Sequence, residues 1–234
     1  PERPYLEEVG RDPGRLRIAF TDRTPADAPI DPEIAAAVRD VAALLEKLGH
    51  HVEEKAPKLP HDPADVINTI VAAHTALTVR LAERQHRRKI DSNDFEELTL
   101  ASAHNGAKAS AVDYVEAEIA AFEIGRAIAF FQRDFDVILS PTLCLPPIAI
   151  GELNTMAKDL SGVGPLLRRY MPGTSMYNMS GQPAMSVPLA WNKAGLPLGM
   201  MFAGRFGDEG TLFRLAAQLE QARPWKDRKP PVCA

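Results

Sequence analysis

Apolar residues recur in helical steps along most of the chain and in strand-like runs at a few short places. After Asp31-Pro32, the positions Ile34, Val38, Val41, Leu45 and Leu48 follow steps of four and three. That spacing predicts a helix capped by Asp31, opened by Pro32 and closed at Gly49. Asp62-Pro63 repeats the same start. A longer helix then runs through Val66, Ile67, Ile70, Val71, His74, Leu77 and Leu81 into the basic run Arg84 to Lys89. A third helix is predicted over 94–104, ended by Asn105-Gly106. A fourth opens on Ser110-Ala111-Val112-Asp113, a capping-box pattern, and carries Val115, Ile119, Phe122, Ile128 and Phe131. Asp208 caps the last, whose face is Leu212, Leu215, Ala216 and Leu219.

Strand-like runs fall between these helices. They are Leu16 to Thr21, His50 to Glu54, and Asp136 to Ser140, which Pro141 ends. Ala184 to Ala190 and Leu198 to Ala203 make a predicted hairpin, with Gly195 available for the turn. Strand, helix, strand at the start of the chain predicts an α/β layer. Gly151 to Pro172 reads as the least regular region. Within it, Gly162-Val163-Gly164-Pro165 lacks the third glycine of a dinucleotide loop. Gly173 to Pro183 reads as a polar loop in which Thr174, Ser175, Asn178, Ser180, Gly181 and Gln182 lead through Pro183 into a strand. Such a loop positions functional groups on a rigid scaffold, or is an ordinary strand entry with satisfied polar groups.

Composition narrows the classes. With 234 residues, 45% of them hydrophobic, the chain can bury a substantial core. One domain, 1–234, is expected, and two are possible. A formal charge of −4 without a clustered basic face argues against nucleic acid as a partner. The run Arg84 to Lys89 reads as cations complementing a helix C-terminus. No apolar run reaches membrane-span length, so no membrane partner is expected. No signal-peptide pattern opens the chain, and Cys144 and Cys233 lie far apart, so a reducing cytoplasm is the expected compartment.

Candidate chemistry is sparse on residues alone. None of the six histidines has zinc-site spacing, and neither metal nor cofactor is expected. His50-His51 beside Glu53 and Glu54 reads as a solvated helix end and strand start. A glycine-serine-glycine nucleophile elbow is absent. A Cys144 nucleophile served by a distant histidine stays open as a minor alternative. All seven methionines lie between Met156 and Met201, as pocket lining or as irregular core filling.

Four ordered pieces carry a family resemblance. Asn178-Met179-Ser180-Gly181-Gln182-Pro183-Ala184-Met185-Ser186-Val187-Pro188, followed by Gly195-Leu196-Pro197-Leu198-Gly199, resembles the C-terminal half of an amidase signature enzyme. Asp136 to Thr142 resembles that family's strand into the substrate region. Asp31 to His50 resembles its early C-terminal helix, and Gly207 to Glu220 its last. The ending, Ala222-Arg223-Pro224-Trp225, is similar to one branch of the family.

The resemblance implies an α/β fold: a mixed β-sheet covered by helices, the C-terminal portion of the amidase signature α/β/α fold. It also implies hydrolysis of carboxamides by a serine nucleophile, a bridging serine and a lysine, with backbone N–H groups holding the oxyanion. Those residues belong to the N-terminal half of the family, and its Gly/Ser-rich segment with paired serines is not found in these 234 residues, so no catalytic serine or lysine is assigned. The matching half would supply substrate-binding residues instead: Thr142, Cys144, Thr174, Tyr177, Asn178 and Gln182. The expected partners are a small-molecule amide, the missing N-terminal half of the same protein and a second copy of the chain. A non-catalytic domain that binds a small molecule or a protein is the alternative.

Overall fold

The computed structural model describes residues 1–229; Cys233 lies outside them. The described residues fall into two compact units.

The first unit comprises Pro1–Lys58, Ile128–Pro147 and the chain from Gly181 onward. It holds β1 (Arg17–Phe20), α1 (Pro32–Lys47), β2 (His51–Glu54), β3 (Val137–Pro141), β4 (Ala184–Trp191), β5 (Pro197–Gly204) and α7 (Glu209–Ala222). The five strands form one sheet in the order β2-β1-β3-β5-β4. β1 pairs in parallel with β2 and with β3, while β5 is antiparallel to both β3 and β4. The sheet is therefore mixed, as the resemblance implied.

α1 forms for the reasons legible in the sequence. Asp31 accepts from the Glu33 amide at 2.9 Å, Pro32 occupies the first turn, and Gly49 takes a φ of 95° just past the end. Ile34, Val38, Val41 and Leu45 are buried against one sheet face. Leu212, Leu215 and Leu219 of α7 join them there. Asp208 caps α7 by accepting from the Thr211 amide at 3.4 Å, and the Thr211 hydroxyl donates to the same oxygen at 2.8 Å. The sheet contributes Ile18, Val137, Leu139, Val187, Leu189, Leu198, Met200 and Phe202 to this core. These alternate along each strand, which is the strand period that assigns every second residue to one face.

His50 departs from the solvated role expected of it. It is buried, its Nδ1 accepts from the Leu16 amide at 3.2 Å, and Nε2 donates to Gln218 Oε1 at 2.8 Å. The ring joins the start of β1 to α7 because the chain turns inward at Gly49.

The second unit comprises Leu59–Ala127 and Ile148–Ser180. It holds α2 (Pro63–His86), α3 (Glu97–Gly106), most of α4 (Ala111–Phe131), α5 (Val163–Tyr170) and α6 (Thr174–Ser180). α3 begins later than its predicted start. Asp94 is taken instead by an ion pair with Arg88 at 2.5 Å, which turns the chain ahead of the helix. The capping box forms: Asp113 Oδ2 accepts from the Ser110 amide at 2.7 Å, and Ser110 Oγ accepts from the Asp113 amide at 3.1 Å. The basic run ends α2 as expected, with Arg87 in a left-handed conformation at φ 54°.

Two stretches read as irregular are helical. Gly162-Val163-Gly164-Pro165 opens α5, because proline is tolerated in a first helical turn. The polar stretch after Gly173 forms α6. Its seven residues are too few to be helical on propensity, and tertiary packing supplies the stability. Met176 and Tyr177 are buried, and a β-carbon at Gly125 of α4 would lie 3.4 Å from the Ser180 side chain.

Candidate functional site

The opposite face of the first unit's sheet differs chemically from the core face. Ser140 of β3 and Ser186 of β4 are both register partners of Met201 on β5. Residues directly opposite one another share a face, so the two serines flank Met201 on the side away from Met200. Thr142 lies two residues beyond Ser140 and therefore returns to the same side. Its amide donates to the Gly199 carbonyl at 3.0 Å, which extends the ladder past β3. The Thr142 and Ser186 hydroxyls meet at 2.6 Å.

Gly199 makes that meeting possible. A β-carbon there would lie 2.7 Å from Ser186 Oγ and 3.0 Å from Thr142 Oγ1. The local sequence thus places two hydroxyls over Gly199 and a third, Ser140, beside Met201 on one face, and valine, leucine, methionine and phenylalanine on the other.

Gln182 follows Gly181, which takes a φ of 74° as its position before the strand required. Gln182 is buried, and among the described residues its Oε1 has no hydrogen-bond partner. The same holds for Ser140 Oγ and for Tyr177 Oη. A buried polar atom without a partner costs roughly 1–3 kcal/mol, so such atoms are uncommon in folded chains.

The structure distributes the six predicted binding residues as follows. Thr142, Cys144 and Gln182 belong to the first unit. Cys144 is a buried free thiol, and burial pushes it up to about 11. It is therefore protonated near neutral pH, unlike an activated cysteine nucleophile. Thr174, Tyr177 and Asn178 belong to α6 of the second unit. Asn178 is exposed, Thr174 is partly buried, and Tyr177 is buried, with its phenol pushed well above the ordinary range by desolvation.

Sequence reasoning missed Ser140, Ser186 and Gly199. The signal was present as alternation: Ser140 in one strand with Thr142 just past its end, Ala184 and Ser186 in the second, Gly199, Met201 and Ala203 in the third.

Two open clefts lie elsewhere. One, of about 720 Å³, is lined in the second unit by His61, Asp65, Thr69, Asp113, Glu116 and Glu123, among others. His61 Nε2 meets Glu123 Oε2 at 2.5 Å, and Arg168 bridges Asp62 and Asp65. The other, of about 620 Å³, lies in the first unit beside Trp191, whose ring Arg228 covers at 3.8 Å. Among the described residues, no group of three His, Cys, Asp or Glu side chains is arranged to hold a metal ion. No described helix is long and apolar enough to cross a membrane.

The mixed five-stranded sheet with helices packed on one face is an α/β fold that matches amidase signature structures. The chain belongs to the amidase family, whose profile matches residues 1–213. It is 32% identical over 244 residues to 6-aminohexanoate-cyclic-dimer hydrolase from Pseudomonas sp. (strain NK87), covering 97% of this chain and 48% of that protein. A solved structure of 6-aminohexanoate cyclic dimer hydrolase superposes with a TM-score of 0.88 at 28% identity, covering 99% of this chain and 50% of that one. A bacterial aryl acylamidase of the amidase signature family shares the fold, with a TM-score of 0.79 at 21% identity over 96% of this chain and 47% of that one. The chain spans about half the length of the curated relatives it matches.

Proposed function

We propose that this chain is the C-terminal part of an amidase that hydrolyses carbon–nitrogen bonds of carboxamides. The observation that carries the reading is similarity along almost the whole chain to about half of amide hydrolases. In this reading a serine, a bridging serine and a lysine upstream of Pro1 form and hydrolyse the acyl-enzyme. The present chain supplies substrate-binding residues, Thr142, Cys144 and Gln182 from its first unit and Thr174, Tyr177 and Asn178 from its second. The unpartnered buried oxygens of Tyr177 and Gln182 support a polar role for that group. The resemblance to 6-aminohexanoate-cyclic-dimer hydrolase makes a cyclic amide the first substrate to try.

The same reading makes residues 1–234 part of one larger amidase domain, in the cytoplasm. Its partners are the amide, the upstream half and a second copy of the chain. Exposed Val112, Val115, Ile119 and Phe122, at three- and four-residue steps along α4, support a further protein contact. A second reading, a binding module derived from an amidase, is favoured by the lack of a paired-serine segment in these 234 residues.

The intact mass of the natural gene product separates the two. A mass near twice 25.6 kDa, with turnover in an amide-hydrolysis screen, is the expected result. A product near 25.6 kDa that binds amides without hydrolysing them would establish the module.

A further inference from the structure

We infer that Ser140, Thr142 and Ser186 form a subsite for an uncharged, planar carboxamide group, with Gly199 as its floor. The choice of an amide as ligand rests on the amidase reading above. The subsite itself rests on the sheet.

Three observations converge on this row. Ser140 and Ser186 flank Met201 in register across three adjacent strands. The Thr142 and Ser186 hydroxyls are 2.6 Å apart, so one donates to the other and the acceptor keeps its own O–H free. Ser140 is 6% exposed, and its Oγ has no hydrogen-bond partner among the described residues. The row therefore presents free O–H donors beside hydroxyl lone pairs. A carboxamide presents the complement, a carbonyl acceptor next to an N–H donor.

The row contains no charged side chain. Burying an ion there would leave its charge uncompensated, which favours a neutral ligand. Gly199 lets the hydroxyl pair close over the strand: a β-carbon there would lie 2.7 Å from Ser186 Oγ and 3.0 Å from Thr142 Oγ1 and would displace the pair on which the ligand rests. Thr142 is partly buried and Ser186 exposed, so the pair forms the accessible end and Ser140 the deep end.

Adjacent methionines on opposite faces give the test an internal control. Met201 lies between the serines, whereas Met200 is fully buried in the core. With the 234-residue chain carrying 13C-methyl methionine, ε-caprolactam is titrated as the probe. The expected result is a saturable shift of the Met201 methyl with Met200 unmoved. Ser186→Ala, at an exposed position that leaves the core intact, weakens the response roughly fivefold, the value of one neutral hydrogen bond. Gly199→Ala abolishes it. Hexanoate, a carboxylate of similar length, leaves Met201 unmoved.

A still Met201, a response unchanged in both Ser186→Ala and Thr142→Val, or equal binding of hexanoate overturns the subsite. Turnover of amides by the longer gene product is measured separately. Turnover without a Met201 response removes the subsite alone. A Met201 response without turnover leaves the subsite standing and removes the hydrolase reading.

Discussion

The α-carbon of Gly106 lies against the backbone of Ala72. A β-carbon at Gly106 would stand 1.9 Å from the Ala72 carbonyl oxygen. Nothing flexible is available to yield, since the obstacle is the main chain of α2. Gly106→Ala should therefore force α3 away from α2 and destabilise the second unit by about 3 kcal/mol, the upper range for overpacking. Denaturant titration followed by circular dichroism checks this. An alanine variant as stable as the parent would mean that the two helices are less closely packed than described.

His50 should hold its proton on Nε2. Its Nδ1 accepts from the Leu16 amide, so that nitrogen is unprotonated, and Nε2 donates to Gln218. Nitrogen-15 NMR of the imidazole should show this single tautomer. His50→Ala should cost about 2 kcal/mol or more, because it strands a buried amide.

Asp94 carries an acid-sensitive contribution. Its hydrogen bonds to Arg88 and to the Asp91 backbone lower its pKa from the ordinary 3.8 to about 2. A depressed folded value means that the stabilisation is complete above about pH 4 and lost as pH falls toward 2. A carboxyl titration by NMR should place Asp94 near 2. Arg88→Ala should return it toward the ordinary value and flatten the acid limb of the stability curve.

Cys144 behaves in the opposite sense. Its folded value is raised to about 11 from 9.0, so the folded chain holds the proton after the unfolded chain has lost it. Stability contributed this way is present below pH 9 and falls as pH rises from about 9 to 11. At neutral pH, iodoacetamide should modify the Cys144 peptide at least about a hundredfold more slowly in the native chain than in the unfolded one. Rapid native alkylation would revive a reactive-thiol role.

Tyr177 separates packing from recognition. If its hydroxyl meets substrate, Tyr177→Phe in the longer gene product should raise KM roughly tenfold, about 1.4 kcal/mol, with stability unchanged or improved. An unchanged KM would assign the side chain to packing alone.

Most of the first unit was legible because its signals are local. Asp31-Pro32, Gly49 and Asp208 act on their own neighbours, and the strand runs before and after Gly195 specify a hairpin. α6 was not legible. Thr174, Ser175 and Asn178 prefer turns, and what makes them helical is the burial of Met176 and Tyr177 together with the close approach of Gly125. His50 was misread for a related reason, since its partners Leu16 and Gln218 lie far away in sequence. For the site, Thr142 and Gln182 came from the family resemblance. Ser140 and Ser186 required strand register, which fixes the face each side chain occupies and which no single strand contains.

The parallel pairing of β1 with β3 also constrains how the chain assembles. The Arg17 backbone amide donates to the Asp136 carboxylate at 2.7 Å from a position 119 residues away, and the pairing joins strands flanking the long helical stretch. During synthesis β1 leaves the ribosome more than a hundred residues before its inner neighbour β3 does. Contacts of such separation form late and slowly, because loop closure must be met before the sheet returns anything. The first unit is therefore exposed to aggregation while it waits, and its folding rate, more than its final stability, should limit the yield of this protein.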